Sequence, residues 1–313
     1  MCQQPSDKTM PLLDESLATV SNKGTQADNL PNRLERYGKA RFKALDILQH
    51  IVDAHQHEGL HDRLIDSLRN CGNYLLFRDY YTVGEVRLKA ASFCKKHLLC
   101  PLCAITRGAK HLCKYHERYQ SLVEDNPSLK PYMVTFTIKD GPSLSERFHT
   151  LQKGIKAYHH RRHVQKARSE AKKASAAVWS YEVKRGKNSG EWHPHVHAIW
   201  MCETKPNQET IRTEWSEIIG DGSYMCDVRP INTDDLIGGF CEVFKYATKF
   251  GDQPNEDTWE VYQTLSGKRL IGSFGGFRGI PQPDKLTDEL LDDDLPYIDR
   301  LYNYAYGKYH LAS

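Results

Sequence analysis

The 313-residue sequence has no apolar run of the roughly 18 residues needed to span a bilayer. At Met1–Lys8 there is no charged start followed by an apolar stretch of the kind that marks an export signal. Membrane and secreted classes therefore drop out, and a cytoplasmic location is expected. A phosphate-binding loop is missing too: Gly267-Lys268 is followed by Arg269 and has no glycine five positions earlier, which excludes an ATP-driven helicase. No internal repeat is visible. Net charge is nearly absent, with 43 Lys+Arg against 40 Asp+Glu giving +3, a total that by itself offers little to a polyanion. Nine cysteines in a reducing compartment are expected to stay thiols, so clustered ones become candidates for metal.

Four segments follow from composition. Residues 1 to 40 are polar, carry Pro5, Pro11 and Pro31, and read as a mobile tail. Residues 41 to 125 read as a helical and Cys-rich unit, with apolar positions from Phe42 to Leu68 at helical spacing and a break near Gly59. Residues 126 to 280 interleave strands and helices. The alternation Val134, Phe136, Ile138 predicts a strand, 145 to 177 a long helix, and 178 to 184 with 192 to 200 a hairpin across Gly186–Gly190. A helix over 209 to 219, a strand over 225 to 229 and a helix over 233 to 250 follow. Residues 281 to 313 are acidic and then tyrosine-rich. The expected class is α+β, an antiparallel sheet flanked by helices, with an N-terminal helical and zinc-binding unit.

Charge is unevenly spread along the chain. The stretch 147 to 175 is strongly basic, and Arg161, Arg162, Lys166, Lys172 and Lys173 are the candidate phosphate-backbone contacts, although such a run is more often a solvated helix face. The stretch 284 to 299 inverts the sign and reads as solvated acid.

Chemistry concentrates in three places. In Trp192–Trp200 a period of two puts His193, His195 and His197 on one strand face and Val196, Ala198 and Trp200 on the other. Two imidazoles two residues apart on a strand can share one divalent ion, and Glu182 across the hairpin is the third candidate ligand, leaving open positions for water or phosphate. Next, the helix Phe240–Phe250 buries Phe240, Val243, Phe244, Ala247 and Phe250, while Glu242, Lys245, Tyr246 and Lys249 share an adjacent face. Alone this is an ordinary amphipathic helix. Beside a metal site, Tyr246 becomes a candidate nucleophile, because a phenol with a pKa of roughly 10 needs a base, a cation or a polarised electrophile. Last, Cys94, Cys100 and Cys103 with Cys71 upstream suggest structural Zn²⁺, with His97 or Cys113 as substitutes for Cys71. Cys2, Cys202, Cys226 and Cys241 carry no pattern.

With these motifs in order, the sequence resembles the HUH endonucleases, and among them the rolling-circle replication initiators of small plasmids. His195-Val196-His197 is similar to the family's His-hydrophobe-His motif, Tyr246-Ala-Thr-Lys249 to its Tyr-x-x-Lys motif, and Thr135-Phe-Thr137 to its opening strand. Glu242 stands where the single-tyrosine subfamily carries a glutamate, and Gly220–Ser223 and Gly272–Gly279 look like stretches common in it. The resemblance covers about residues 71 to 305.

It implies a ferredoxin-like, RRM-like core over 126 to 280. Mn²⁺ or Mg²⁺ would sit at His195, His197 and Glu182, and Tyr246 would nick single-stranded or extruded plasmid origin DNA through a 5′-phosphotyrosyl intermediate. Lys249 would assist the phenol or the phosphate, and Glu242 would serve as base in release. A host helicase and polymerase would follow. The same core serves transposases and mobilisation relaxases, and a zinc-containing DNA-binding regulator without catalysis is the reading from another class.

Overall fold

The computed structural model describes residues 25–55, 62–164, 168–232, 236–244, 253–292 and 294–312. Two five-stranded antiparallel sheets organise them. The first half of the chain supplies β1 (Thr25–Gln26), α1 (Leu30–His55), α2 (Asp62–Asn70), β2 (Tyr74–Tyr80), β3 (Glu85–Ala91) and α3 (Pro101–Asp125). There follow β4 (Lys130–Thr137), α4 (Leu144–His160), β5 (Ala174–Arg185), β6 (Trp192–Cys202), α5 (Gln208–Ile219), β7 (Cys226–Pro230), α6 (Leu236–Phe244), α7 (Asn255–Leu265) and β8 (Ile271–Phe274). The chain closes with β9 (Ile298–Ala305) and β10 (Lys308–Leu311). The α+β class with antiparallel sheets flanked by helices is as expected. No described helix is long and apolar enough to cross a membrane.

Three expectations need correction. Over residues 25 to 40 the polar tail is largely helix, since α1 begins at Leu30. Pro31 lies in its first turn, where the missing amide hydrogen costs nothing. The buried stripe Arg33, Tyr37, Ala40, Arg41, Ala44 contains two arginines, which masked the apolar period. The helix expected over 145 to 177 ends at His160, and the alanine-rich stretch from Ala174 enters β5, where pairing to β6 overrides its helical propensity. The C-terminal segment joins the first sheet. The first sheet has the order β1-β3-β2-β9-β10, so the chain end returns to lie against β2.

Charge fixes that return. The Asp288 carboxylate, 5% exposed, takes a fork from the Arg33 guanidinium at 2.7 and 3.0 Å and a 2.7 Å bond from the Leu88 amide. The Asp288 amide donates to the Leu88 carbonyl at 2.9 Å. Burial works against the Arg33 cation, but Tyr37 and Asp288 outweigh it and hold its pKa above the ordinary value. Asp299 likewise bonds Arg78 and Lys89, and Arg300 pairs with Asp79. The acidic stretch is thus partly internal, not simply solvated.

The second sheet, ordered β7-β4-β6-β5-β8, has helices on both faces. One face packs Phe136, Val196, Ala198 and Trp200 against Phe148, Leu151 and Ile155 of α4 and Ile211 and Trp215 of α5. The other packs Met133, Val178, Ile199 and Met201 against Leu112 and Tyr115 of α3 and Phe240 and Val243 of α6.

Asp288→Ala strands the Arg33 charge in the core and is expected to cost about 3 kcal/mol or more. Urea unfolding checks this. A double Arg33→Met, Asp288→Leu variant should recover most of the loss, and equal instability of both variants would contradict the ion-pair account.

Candidate active site

Register builds the site. Thr137, His195 and Glu182 face one another across β4, β6 and β5, and Thr135, His197 and Ser180 form the next rung. Paired residues of antiparallel strands point to the same side, here the face carrying α6. Glu182 Oε2 lies 3.4 Å from Nε2 of both His195 and His197. The three donor atoms all fall within 4.8 Å of one another, a spacing that one divalent ion with bonds of about 2.0 to 2.2 Å can satisfy with coordination positions left open. Two imidazole nitrogens and a carboxylate oxygen suit such an ion, so the residues fit the metal inferred from the motif.

The surroundings set the rings. Nδ1 of His197 lies 3.1 Å from Thr135 Oγ1, an outer contact that turns Nε2 toward Glu182. Burial pushes the His195 pKa down against the opposing pull of Glu182, favouring the neutral ring whose lone pair a metal needs. His193 shares the face but not the donor group, because its Nδ1 is taken by Asp140, which also accepts from Ser189. Asp140 lies on no sequence pattern, and Thr135, part of the Thr135-Phe-Thr137 strand motif, gains its place beside His197 from the sheet register.

Above this face runs α6. Ser180, one strand from His197 on the same rung, donates its hydroxyl to the Val243 carbonyl, tying the last turn of α6 to the sheet beside the triad. Glu242 is half-buried on α6. Tyr246 and Lys249 lie outside the described residues.

The second donor cluster closes on Cys71, Cys94, Cys100 and Cys103. Sulfur separations are 3.5 Å for Cys71 to Cys100, 3.5 Å for Cys71 to Cys103 and 3.6 Å for Cys94 to Cys103. Four thiolates tetrahedral around zinc with bonds of about 2.3 Å sit about 3.8 Å apart, so the set fits that ion. Lys95 takes φ +57°, a left-handed turn that brings the Lys96 amide to within 3.5 Å of the Cys94 sulfur. The Cys94 amide reaches Cys71 at 3.3 Å, and hydrogen bonds led by Cys100 hold the Cys71 thiol far below its ordinary pKa. His97 and Cys113 are outside the group.

The basic candidates are elsewhere. Arg161 pairs with Glu217, Arg162 lies 3.5 Å over the Phe274 ring, and Lys173 pairs with Glu170. Lys172 and Lys173 precede β5 at the end opposite Glu182, and Arg161 and Arg162 follow α4, which packs on the face away from the histidines. With the long helix broken at His160, these residues do not line the triad. Lys166 is outside the described residues.

Residues 85–305 match the model of a family described as replication protein. A curated relative, "Protein rep" of Streptococcus pneumoniae serotype 2 (strain D39 / NCTC 7466), is 24% identical over 264 residues, covering 79% of this chain and 80% of that protein. No solved structure matches the chain.

Two substitutions test the clusters. Cys103→Ala should eliminate bound zinc in elemental analysis and prevent the N-terminal unit from folding, since structural zinc contributes about 10 kcal/mol or more. Thr135→Val should weaken Mn²⁺ binding at the triad by about tenfold in calorimetry without altering zinc content; unchanged Mn²⁺ affinity would remove the orienting role of Thr135.

Proposed function

The chain belongs to this replication protein family, and from that premise we propose that it initiates rolling-circle replication of a plasmid, nicking and rejoining one strand of the origin through Tyr246. The observation that carries this reading is the Glu182, His195, His197 triad on the sheet face beneath α6, with Tyr246 three residues beyond the anchored Val243 in sequence. The fit of the triad to a divalent ion supports an HUH-type, metal-dependent reaction. A bound Mn²⁺ or Mg²⁺ supplies Lewis-acid polarisation of a phosphodiester oxygen.

The protein's own groups do the rest. The Tyr246 oxygen attacks phosphorus in line, the bond to the 3′ oxygen breaks, and the phenolic proton passes by way of solvent to that leaving oxygen. A 5′-phosphotyrosyl enzyme and a free 3′-hydroxyl result. One ester replaces another, so no nucleotide triphosphate is consumed, in keeping with the missing phosphate-binding loop. Lys249 steadies the phenol or the phosphate. Glu242 acts as base for the water that releases the strand at termination. The Cys71, Cys94, Cys100, Cys103 unit holds structural Zn²⁺. Host helicase and polymerase extend the 3′ end.

The decisive measurement is denaturing electrophoresis of the protein with a labelled single-stranded pool and Mn²⁺. Wild type forms a covalent adduct, and Tyr246→Phe loses it while binding persists. An adduct surviving in Tyr246→Phe sinks the nucleophile assignment. Binding without an adduct in wild type makes the chain a non-catalytic regulator. Replacing His195 and His197 together by Ala should lower nicking by at least about a thousandfold at any Mn²⁺ concentration. Glu242→Gln should spare the first nick and slow release.

A further inference from the structure

A cavity of about 430 Å³ lies between the four-cysteine unit and the second sheet. Its floor is apolar, made by Val243 and Phe244 of α6 and Ile271 of β8. Its rim is cationic, with Arg107 from α3, one of whose guanidinium nitrogens bonds Gln282, and Lys268 and Arg269 from the turn after α7, Lys268 lying also over the Phe148 ring and Arg269 Nε donating to the Ile271 carbonyl. Its wall includes His111, which is 2% exposed. Neither ring nitrogen of His111 makes a hydrogen bond of good geometry, although Gln282 faces it. Burial, reinforced by Arg107, pushes the His111 pKa down to about 3, so the ring is neutral and offers one donor and one acceptor. Phe244, itself buried, stacks on it with ring centroids 6.0 Å apart and planes 9° apart, and Tyr115 stacks on Phe244 at 5.0 Å, so the pair presents edges to the cavity beside the more open Ile271 and Ile280.

Position adds to this chemistry. Ile271 pairs with Ser180, and Ser180 with His197, so the cavity floor and the triad share one rung and one face of the sheet. Two strand spacings put Ile271 about 10 Å from His197. A strand with a stacked rise of about 3.4 Å covers that distance in about three nucleotides.

We propose that this cavity binds one nucleotide of the single strand about three positions from the scissile phosphate, its base against Ile271, Ile280 and the edges of Phe244 and His111 and its phosphate at Arg107, Lys268 and Arg269. An apolar aromatic floor with a cationic rim is the combination that single-stranded nucleic acid rewards, and the neutral imidazole can read a base edge. The subsite rests on the reading that a DNA strand is the substrate. It fixes the register of that strand over the triad, a role distinct from the chemistry of Tyr246.

The test uses the full-length, zinc-loaded protein and an oligothymidylate carrying one 5-iododeoxyuridine. Irradiation is expected to crosslink peptides containing Phe244 or His111. Lys268→Ala with Arg269→Ala should weaken strand binding about tenfold and lower the salt slope by about 1.4, the loss of two phosphate contacts. Lys268→Arg with Arg269→Lys retains both charges and should bind like wild type, which separates lost contacts from lost folding. Thymidine 5′-monophosphate at saturating concentration should compete for the crosslink, and failure to compete overturns the cavity as a nucleotide subsite. Crosslinks confined to other peptides, or an unchanged affinity and slope in the alanine variant, overturn the subsite. Adduct formation is read in parallel. Crosslinks and weakened binding without any wild-type adduct remove the nicking reading and leave the subsite standing, whereas a normal adduct with unaltered strand affinity in the alanine variant does the reverse.

Discussion

The pairing of β5 with β6, from Ala177↔Trp200 to Arg185↔Trp192, determines which groups can act together. Side chains alternate across a sheet, so a slip of one residue would carry His195 and His197 into the packed layer under α4 and expose Val196 and Ala198 in their place. The observed register instead puts a carboxylate, two imidazoles and two threonines on adjacent rungs of one face. Burial of Val196, Ala198 and Trp200 on the opposite face is therefore what holds Glu182, His195 and His197 in place, and the site inherits its precision from the core. The same register extends to β8 and sets the distance from the triad to the cavity under Phe244.

Electrostatics ties the two ends of the chain together. Arg33 and Asp288 stand 255 positions apart, yet they meet between the rings of Tyr37 and Phe77 and the β3 backbone, in a place where neither charge is tolerable alone. The near-zero net charge is thus not merely a sum of a basic and an acidic surface. Part of the acidic stretch neutralises arginines of the first sheet, while part of the basic stretch is spent on Glu217, Glu170 and the Phe274 ring. Lys268 and Arg269, the cations lining the cavity beside α6, lie in a turn that no charge run marked, with Lys268 also over the Phe148 ring and Arg269 bonded to the Ile271 carbonyl.

What was legible in the sequence follows from range. The histidine strand declares itself because period two is a local property, and the glutamate partner follows from a short hairpin. The cysteines declare themselves by chemistry, and the geometry selects Cys71 over His97 and Cys113. Local reading fails where distant partners decide. Arg33 and Arg41 disguise the buried stripe of α1 because their charges are satisfied by Asp288 and by the Leu68 and Arg69 carbonyls, contacts that only the fold supplies. Ala174–Ala177 look helical until β6 and β8 claim them, and β9, besides its hairpin with β10, pairs with the distant β2 that no local pattern points to.

One helix converts these separate features into a single machine. Pro101–Asp125 starts on two of the four cysteines, and its first turns, through Leu102 and Ile105, pack into the core of the first sheet. Its later turns, through Leu112, Tyr115 and Tyr119, pack beneath the histidine face, where Tyr115 stacks on Phe244 at 5.0 Å. An α-helix of 25 residues runs about 37 Å and resists bending, so fixing its first turn fixes the level of its last. The four-cysteine unit thereby locates Tyr115, Tyr115 locates Phe244, and Phe244 stands two residues before Tyr246 in sequence. The four-cysteine unit and the histidine face are therefore positionally linked, because rigidity along α3 carries the level of its first turn to the groups packed beneath the triad.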